Sequence, residues 1–363
     1  MLLGDFAAGG AQVDIELEVA YLGSCGGDAS AARLRGHGLE PKLVPIRGLL
    51  HRSAHRAVCR HVARVAPHIV HTHLQYADVL GGLAARRLGV PSVSTIHVTE
   101  TESGLREWVK SQLAASVRRR CATRVIAVSD AARRAYAATT SEHTGRVVTV
   151  RNGVVAEPRY GAGAAARERL GLAPEHLVVT MVSVLRPGKG HDVAIQAVDS
   201  LRSRFPKLRL LIVGDGAARA EVERLAAPLG PAAIMAGHRD DVMELLDAAD
   251  VLLHPPRFDA LPTVLLEAMA ARVPAVCTAV GGIPEILAGE EAGALVDPSG
   301  GASELAEALA RLLSDRDMRR RLGEAGRARF EREFTVRRWA ERMREVYDSV
   351  LEAGPPLRDP VAG

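Results

Sequence analysis

Short, almost unbroken apolar runs recur along the chain, each followed by a loop and then by a segment with helical spacing. In the second half these runs predict strands at 177–184 (LVVTMVSV), 208–213 (LRLLIV), 232–236, 250–254, 273–278 and 293–297. Helical segments over 191–204, 217–228, 240–248, 262–271 and 283–289 lie between them. In the first half the runs predict strands at 2–6, 15–22, 42–46, 68–72, 91–96, 123–128 and 146–150. Strands that are apolar on both faces and alternate with helices predict parallel sheets covered on both sides. Two such sets predict two doubly wound, Rossmann-like α/β domains. The Gly-rich stretch 151–163, punctuated by Pro158, predicts the junction, with one domain over 1–157 and the other over 158–337. The tail after 302 reads as helices, fraying from about Pro355.

One place breaks the pattern. A strand at Leu2–Phe6 would end in the loop Ala7–Gln12, and the next would begin at once near Val13. A parallel crossover needs about a dozen residues or more, usually a helix. The expectation is that a segment is missing between Gln12 and Val13.

Composition narrows the classes. Hydrophobic residues make up 47% and charged residues 25%, which describes a globular chain and excludes a disordered or fibrous one. Aromatics are 3%, too few for a base-stacking nucleic-acid surface. No run of about 18 uncharged apolar residues predicts a membrane-spanning helix. The start MLLGDFAAGG lacks a basic region and is not read as a signal peptide. Cys25, Cys59, Cys121 and Cys277 are scattered with no CxxC, which points to a reducing, cytoplasmic setting and to no thiolate metal site. Charge is uneven: residues 1–154 carry 20 Lys/Arg against 12 Asp/Glu, and residues 155–363 carry 27 against 31. Between Glu40 and Asp78 there is no acid, but there are Lys42, Arg47, Arg52, Arg56, Arg60, Arg64 and six histidines. A second basic segment holds Lys110, Arg118, Arg119, Arg120 and Arg124. These are solvated helix faces, or a first domain that meets an anionic acceptor or, peripherally, an anionic membrane surface.

In open α/β sheets, ligands sit beyond the carboxyl ends of strands, so candidate chemistry is sought there. After 177–184 comes LRPGKGHD, where Arg186 and Lys189 in a Gly-containing turn suit a phosphate and Asp192 can cap the next helix. Gly214-Asp215-Gly216 and Gly281-Gly282 allow tight turns and close backbone approach. After 250–254 comes PPRFDALPTVLLEAMAA, with Pro262 in the first helical turn and free amides near Ala260 and Leu261. Glu267 lies in an otherwise apolar helix and needs a partner, either a ligand diol or an internal salt bridge; Asp259 precedes it by eight residues. In the first half, Gly9-Gly10 follows the first apolar run, and His71, His73 and His97 end strands. They lack carboxylates at ligand spacing, which favours imidazoles bonding a sugar hydroxyl, or a structural His71, over a metal site. Ser129-Asp130 reads as a helix cap, since no GxSxG surrounds it.

Together the segments GGAQ (9–12), HTH (71–73), STIH (94–97), VSD (128–130), RNGV (151–154), RPGKG (186–190), VGDG (213–216), DALPTVLLEAMA (259–270) and VGGIPEI (280–286) resemble family 4 glycosyltransferases. They fall in family order over about residues 1–300. The resemblance implies the GT-B fold: two Rossmann-like domains facing a cleft, with a C-terminal helix, about 338–352, crossing back onto the first. It implies a retaining enzyme that moves a sugar from a nucleotide-diphosphate sugar, UDP favoured, to an acceptor hydroxyl, without metal or other cofactor. The donor would bind mainly to the second domain and the acceptor, a saccharide, lipid-linked or small molecule, to the first. On this resemblance Lys189, helped by Arg186, takes the diphosphate, and Glu267 takes the nucleotide ribose. Asp259 stands where many members have Glu, facing donor-sugar hydroxyls, with the amides of Ala260, Leu261 and Pro262 nearby. Gly10 and Gly214 would approach the donor, Gly237 and His238 would border the base, and His97 would lie near the transferred sugar. Two other readings stay open: a GT-B nucleotide-sugar epimerase or phosphorylase, and a non-catalytic nucleotide-sugar-binding subunit.

Overall fold

A computed structural model describes residues 2–23, 29–49, 51–97, 105–140, 144–157 and 161–354. Cys25, Pro158 and the tail from Pro355 lie outside the described residues. The chain divides into two compact units, Met1–Gly153 together with Val336–Gly363, and Val154–Thr335. The divide therefore falls at 153/154 rather than 157/158. The second unit is closed where the chain enters and leaves it: the Val154 N–H donates to the Phe334 carbonyl at 3.1 Å, and Val154 bridges Thr335.

The first unit holds β1 (Ala20–Gly23) paired with β2 (Lys42–Pro45), and a four-stranded sheet β3 (Val70–His73), β4 (Ser92–Ile96), β5 (Arg124–Ala127), β6 (Val147–Thr149) in that order. All pairs are parallel. The strand expected at 2–6 is instead a helix, Leu2–Gly10, followed by a 3-10 turn at Ala11–Val13. The reason is packing. Phe6 lies on Trp339 with ring centroids 4.8 Å apart, and a Cβ on Gly9 would stand 2.7 Å from the Val336 carbonyl oxygen. The following stretch alternates like a strand, but only Ala20–Gly23 pairs as one. Its apolar residues Val13, Ile15 and Leu17 are taken by the same cluster, around Trp339, Ala340, Met343, Tyr347 and Val350 of the helix Val336–Ala353. That helix thus completes the core of the first unit.

The second unit is a six-stranded parallel sheet of β7 (Leu177–Val182), β8 (Leu208–Val213), β9 (Ala233–Gly237), β10 (Val251–His254), β11 (Ala275–Thr278) and β12 (Gly293–Val296). Its order is β12-β11-β10-β7-β8-β9. Near-continuous burial along β7, β8, β10 and β11 reflects helices on both faces, as the apolar runs require. The order reverses between β7 and β10, the place in such sheets where ligands bind beyond the carboxyl ends of the strands.

Candidate active site

Both loops at this reversal carry chemistry. After β7 the chain turns through Ser183–Gly190 into the helix His191–Leu201, whose N-cap is Gly190 in the left-handed region; Asp192 sits in the first turn, 3.6 Å from Arg257, rather than capping. After β10 it runs through 255–262 into the helix Thr263–Ala270, with Pro262 at the N-cap, one position before the first turn. The two loops touch. The Arg257 N–H donates to the Gly188 carbonyl at 2.8 Å, and a Cβ on Gly190 would stand 1.9 Å from the Pro255 carbonyl oxygen. On the far side the Gly282 N–H donates to the Asp259 carbonyl at 3.1 Å, and a Cβ on Gly281 would meet that oxygen at 1.9 Å. Thr278 Oγ1 donates to the Pro256 carbonyl at 2.6 Å. Glycines on either side therefore hold the loop that carries Asp259.

This closeness brings Lys189 Nζ to 2.6 Å from Asp259 Oδ2, with side chains only 14% and 15% exposed. Burial pushes the Asp259 carboxyl up; the His254 ring and the Lys189 ammonium outweigh it and leave it below its ordinary value. His254, the last residue of β10, is buried beneath them, with Nε2 3.5 Å from the same oxygen. Beside it His191 Nε2 meets Ser183 Oγ at 3.0 Å, and burial lowers both imidazoles' pKa. Ala260 and Leu261 are buried at the start of the helix, and Glu267 is half-buried on it.

Other predicted residues play different parts. Arg186 is exposed on the turn and brings its charge to solvent. Gly214 serves chain packing: a Cβ there would stand 1.9 Å from the Ser183 carbonyl oxygen, and its N–H donates to the Gly237 carbonyl at 2.7 Å. Gly237 ends the edge strand β9, and His238 beyond it is largely exposed, 3.6 Å from Asp240. Sequence reasoning missed His191 and His254. The signal was there for His254, an ionisable residue ending a predicted strand five residues before Asp259.

In the first unit, Gly10 does not sit in a loop after a strand. It is buried in the last turn of the Leu2–Gly10 helix, where a Cβ would be 3.3 Å from the Ile15 carbonyl oxygen. The three histidines do come together. His73 Nδ1 and His97 Nε2 are 2.8 Å apart, and His71 stacks on His73 at 4.3 Å. Both nitrogens of His71 are used, by Tyr347 Oη at 2.7 Å and Thr95 Oγ1 at 2.7 Å, so its role is structural. Burial drives the His71 pKa down to about 3, and burial also lowers those of His73 and His97. Among the described residues no group of three or more His, Cys, Asp or Glu side chains is placed to hold a metal ion. Ser129 caps its helix as expected, accepting from the Ala132 N–H at 3.1 Å. Part of the second basic segment is spent inside the fold: Arg118 pairs with Asp78 at 2.7 Å, and Arg119 donates to the Thr140 carbonyl at 2.7 Å. By contrast Arg52, Arg56, Arg60 and Arg64 are all exposed on the helix Arg52–Val65.

Comparison with known proteins settles the family. Residues 164–329 match the model for glycosyl transferases group 1, and residues 3–157 match that for glycosyltransferase family 4. An α-maltose-1-phosphate synthase of Mycobacterium tuberculosis is 32% identical over 322 residues, 79% of this chain and 80% of that protein. The chain belongs to glycosyltransferase family 4. A D-inositol 3-phosphate glycosyltransferase of Salinispora arenicola is 32% identical over 337 residues, 83% of this chain and 73% of that one. Among solved structures, HepE of Anabaena in complex with UDP and glucose superimposes with a TM-score of 0.81 at 23% identity, covering 96% of this chain and 95% of that one. WaaG, a glycosyltransferase involved in lipopolysaccharide biosynthesis, gives 0.72 at 21% identity, covering 95% of each chain. This glycosyltransferase thus has two Rossmann-like parallel sheets of the GT-B type.

Proposed function

We propose that this glycosyltransferase takes a nucleotide-diphosphate sugar, with UDP as the favoured carrier, and transfers the sugar with retention to an acceptor hydroxyl. The observation that carries the reading is the Lys189–Asp259 pair at the β7/β10 reversal, a cation and an anion nearly shielded from solvent at a strand-end crevice. The ammonium suits the diphosphate and the carboxylate suits sugar hydroxyls. UDP is favoured because HepE, similar in fold, holds UDP and glucose. Glu267, half-buried eight residues beyond Asp259 on the same loop and helix, is assigned to the ribose diol.

In this reading the bond from the sugar's anomeric carbon to the diphosphate oxygen breaks, and its electrons stay on the leaving diphosphate. The acceptor oxygen attacks the same face, and its proton passes to a leaving phosphate oxygen. Lys189, with Arg186 and the helix N-termini beside it, stabilises the charge that builds on the leaving group, so protein cations do the work of a metal. His97, whose pKa burial lowers, is assigned to hydrogen bonding a sugar hydroxyl of the acceptor. The nucleotide sugar is a co-substrate, and no cofactor is assigned. Scattered cysteines support a cytoplasmic setting, and the exposed arginines of Arg52–Val65 support peripheral contact with an anionic membrane. No described helix is long and apolar enough to cross one. Recovery of no protein with anionic vesicles at low salt refutes that contact.

The test is calorimetry with UDP, GDP and ADP, each with EDTA present. One nucleotide binds with micromolar affinity, and binding of none refutes the donor site. Lys189→Ala and Glu267→Ala then each remove most transfer activity while the chain stays folded. Near-normal turnover in both sinks the assignment.

A further inference from the structure

His254 is a buried polar group that the reading above does not use. Its ring is 3% exposed, and Nε2 has no partner at hydrogen-bond geometry among the described residues. Nε2 faces Asp259 Oδ2 at 3.5 Å, while Lys189 Nζ already holds that same oxygen at 2.6 Å. The His254 contact helps hold the Asp259 carboxyl below its ordinary value, yet it falls short of hydrogen-bond geometry, and a buried ring nitrogen left so poorly satisfied calls for an account.

We infer that His254 is the positioning residue for Asp259: when Lys189 turns its ammonium to the donor's diphosphate, the Nε2–H of His254 takes over Oδ2. This rests on the donor-site reading of Lys189. Three features support it. The ring is fixed and the lysine is not. β10 is paired on both sides, to β7 and β11, with His254 opposite Cys277, whereas Lys189 reaches Asp259 on a flexible four-carbon stem from a turn. The Asp259 backbone is held, its carbonyl accepting from the Gly282 N–H and packed against Gly281, so the root of its side chain stays beside His254 when the ammonium leaves. Left without either partner, a carboxylate this enclosed would be costly. Finally, burial keeps the imidazole neutral among Lys189, Asp259, His191 and Cys277, so it supplies one N–H without drawing the donor's phosphates toward itself. Which ring nitrogen carries the proton is set by the carboxylate that Nε2 faces.

The test compares the whole chain with His254→Leu, which removes the donor, and His254→Gln, which keeps an N–H. UDP and UDP-glucose binding is measured by calorimetry and UDP release from UDP-glucose by steady-state kinetics. His254→Leu lowers the preference for UDP-glucose over UDP at least tenfold, lowers kcat/KM for UDP-glucose by a similar factor, and His254→Gln restores most of both. Unchanged preference in His254→Leu overturns the inference, as does an equal loss for UDP and UDP-glucose, which marks a packing role alone. Should His254→Leu fail to fold, the wild-type ring decides: UDP moves the His254 Nε2 nitrogen resonance, and an unmoved resonance in a chain saturated with UDP overturns it. A wild-type chain that binds neither probe overturns the reading of UDP as the carrier instead.

Discussion

Removing the carboxylate of Asp78 tests how the first unit holds its histidines. Asp78 lies in the first turn of the helix Gln75–Leu88, its side chain fully buried. It accepts from Thr72 Oγ1 at 2.5 Å, Ser94 Oγ at 2.6 Å and the Arg118 guanidinium at 2.7 and 3.1 Å. Thr72 lies between His71 and His73 on β3, and Ser94 lies on β4, three residues before His97. The network therefore ties together the two strands that bring the imidazoles into contact. Asp78→Ala leaves the Arg118 charge, 10% exposed, without its counter-ion, a change worth about 3–5 kcal/mol. At about 2–4 °C per kcal/mol for a unit of this size, the transition of the first unit falls by about 6–20 °C in scanning calorimetry. Replacing both partners, Asp78→Leu with Arg118→Met, removes the stranded charge and recovers much of the loss. A fall under about 2 °C for Asp78→Ala, or a double variant no better than the single, refutes the reasoning.

Gly190→Ala and Gly281→Ala each place a Cβ 1.9 Å from a carbonyl oxygen, of Pro255 and Asp259 respectively, at positive φ. Both displace the loop carrying Asp259 and cut UDP-glucose turnover more than a hundredfold; turnover near wild type in either counts against the site. Acid should weaken the first unit. Burial drives the His71 pKa down to about 3, and His73 and His97 are lowered too, so the unfolded chain binds more protons than the folded one below about pH 6.5. Their stabilisation is full above that value and is lost as pH falls below it, for His71 down to about pH 3, each histidine contributing up to about 1.4 kcal/mol per pH unit while only the unfolded chain is protonated. Melting at pH 7, 6 and 5 checks this, and a flat profile contradicts it.

Much of the fold was legible because parallel strands buried on both faces leave unbroken apolar runs. All six strands of the second unit fall within a residue or two of where those runs place them. Leu2–Phe6 misled because a run that short suits a strand or a buried helix equally. What chose the helix was Trp339, more than three hundred residues away. The candidate site divides in the same manner. Lys189, Asp259 and Glu267 stand out locally, as charges at strand ends or in an apolar helix. Gly10 and Gly214 were read as approaching a ligand, yet their missing side chains make room for other backbone, and spacing alone cannot tell those uses apart.

The sequence by itself determined the class of fold, the succession of strands and helices, and the residue types at each strand end, because these follow from local periodicity and turn chemistry. Only the tertiary structure decided the strand order that reverses between β7 and β10, and so which strand ends meet. It turned Arg118 from a surface charge into half of a buried pair. It put His254 beneath the Lys189–Asp259 contact and joined His71 to Tyr347 on the returning helix. Each of these depends on contacts between residues far apart in the chain, which no local pattern encodes.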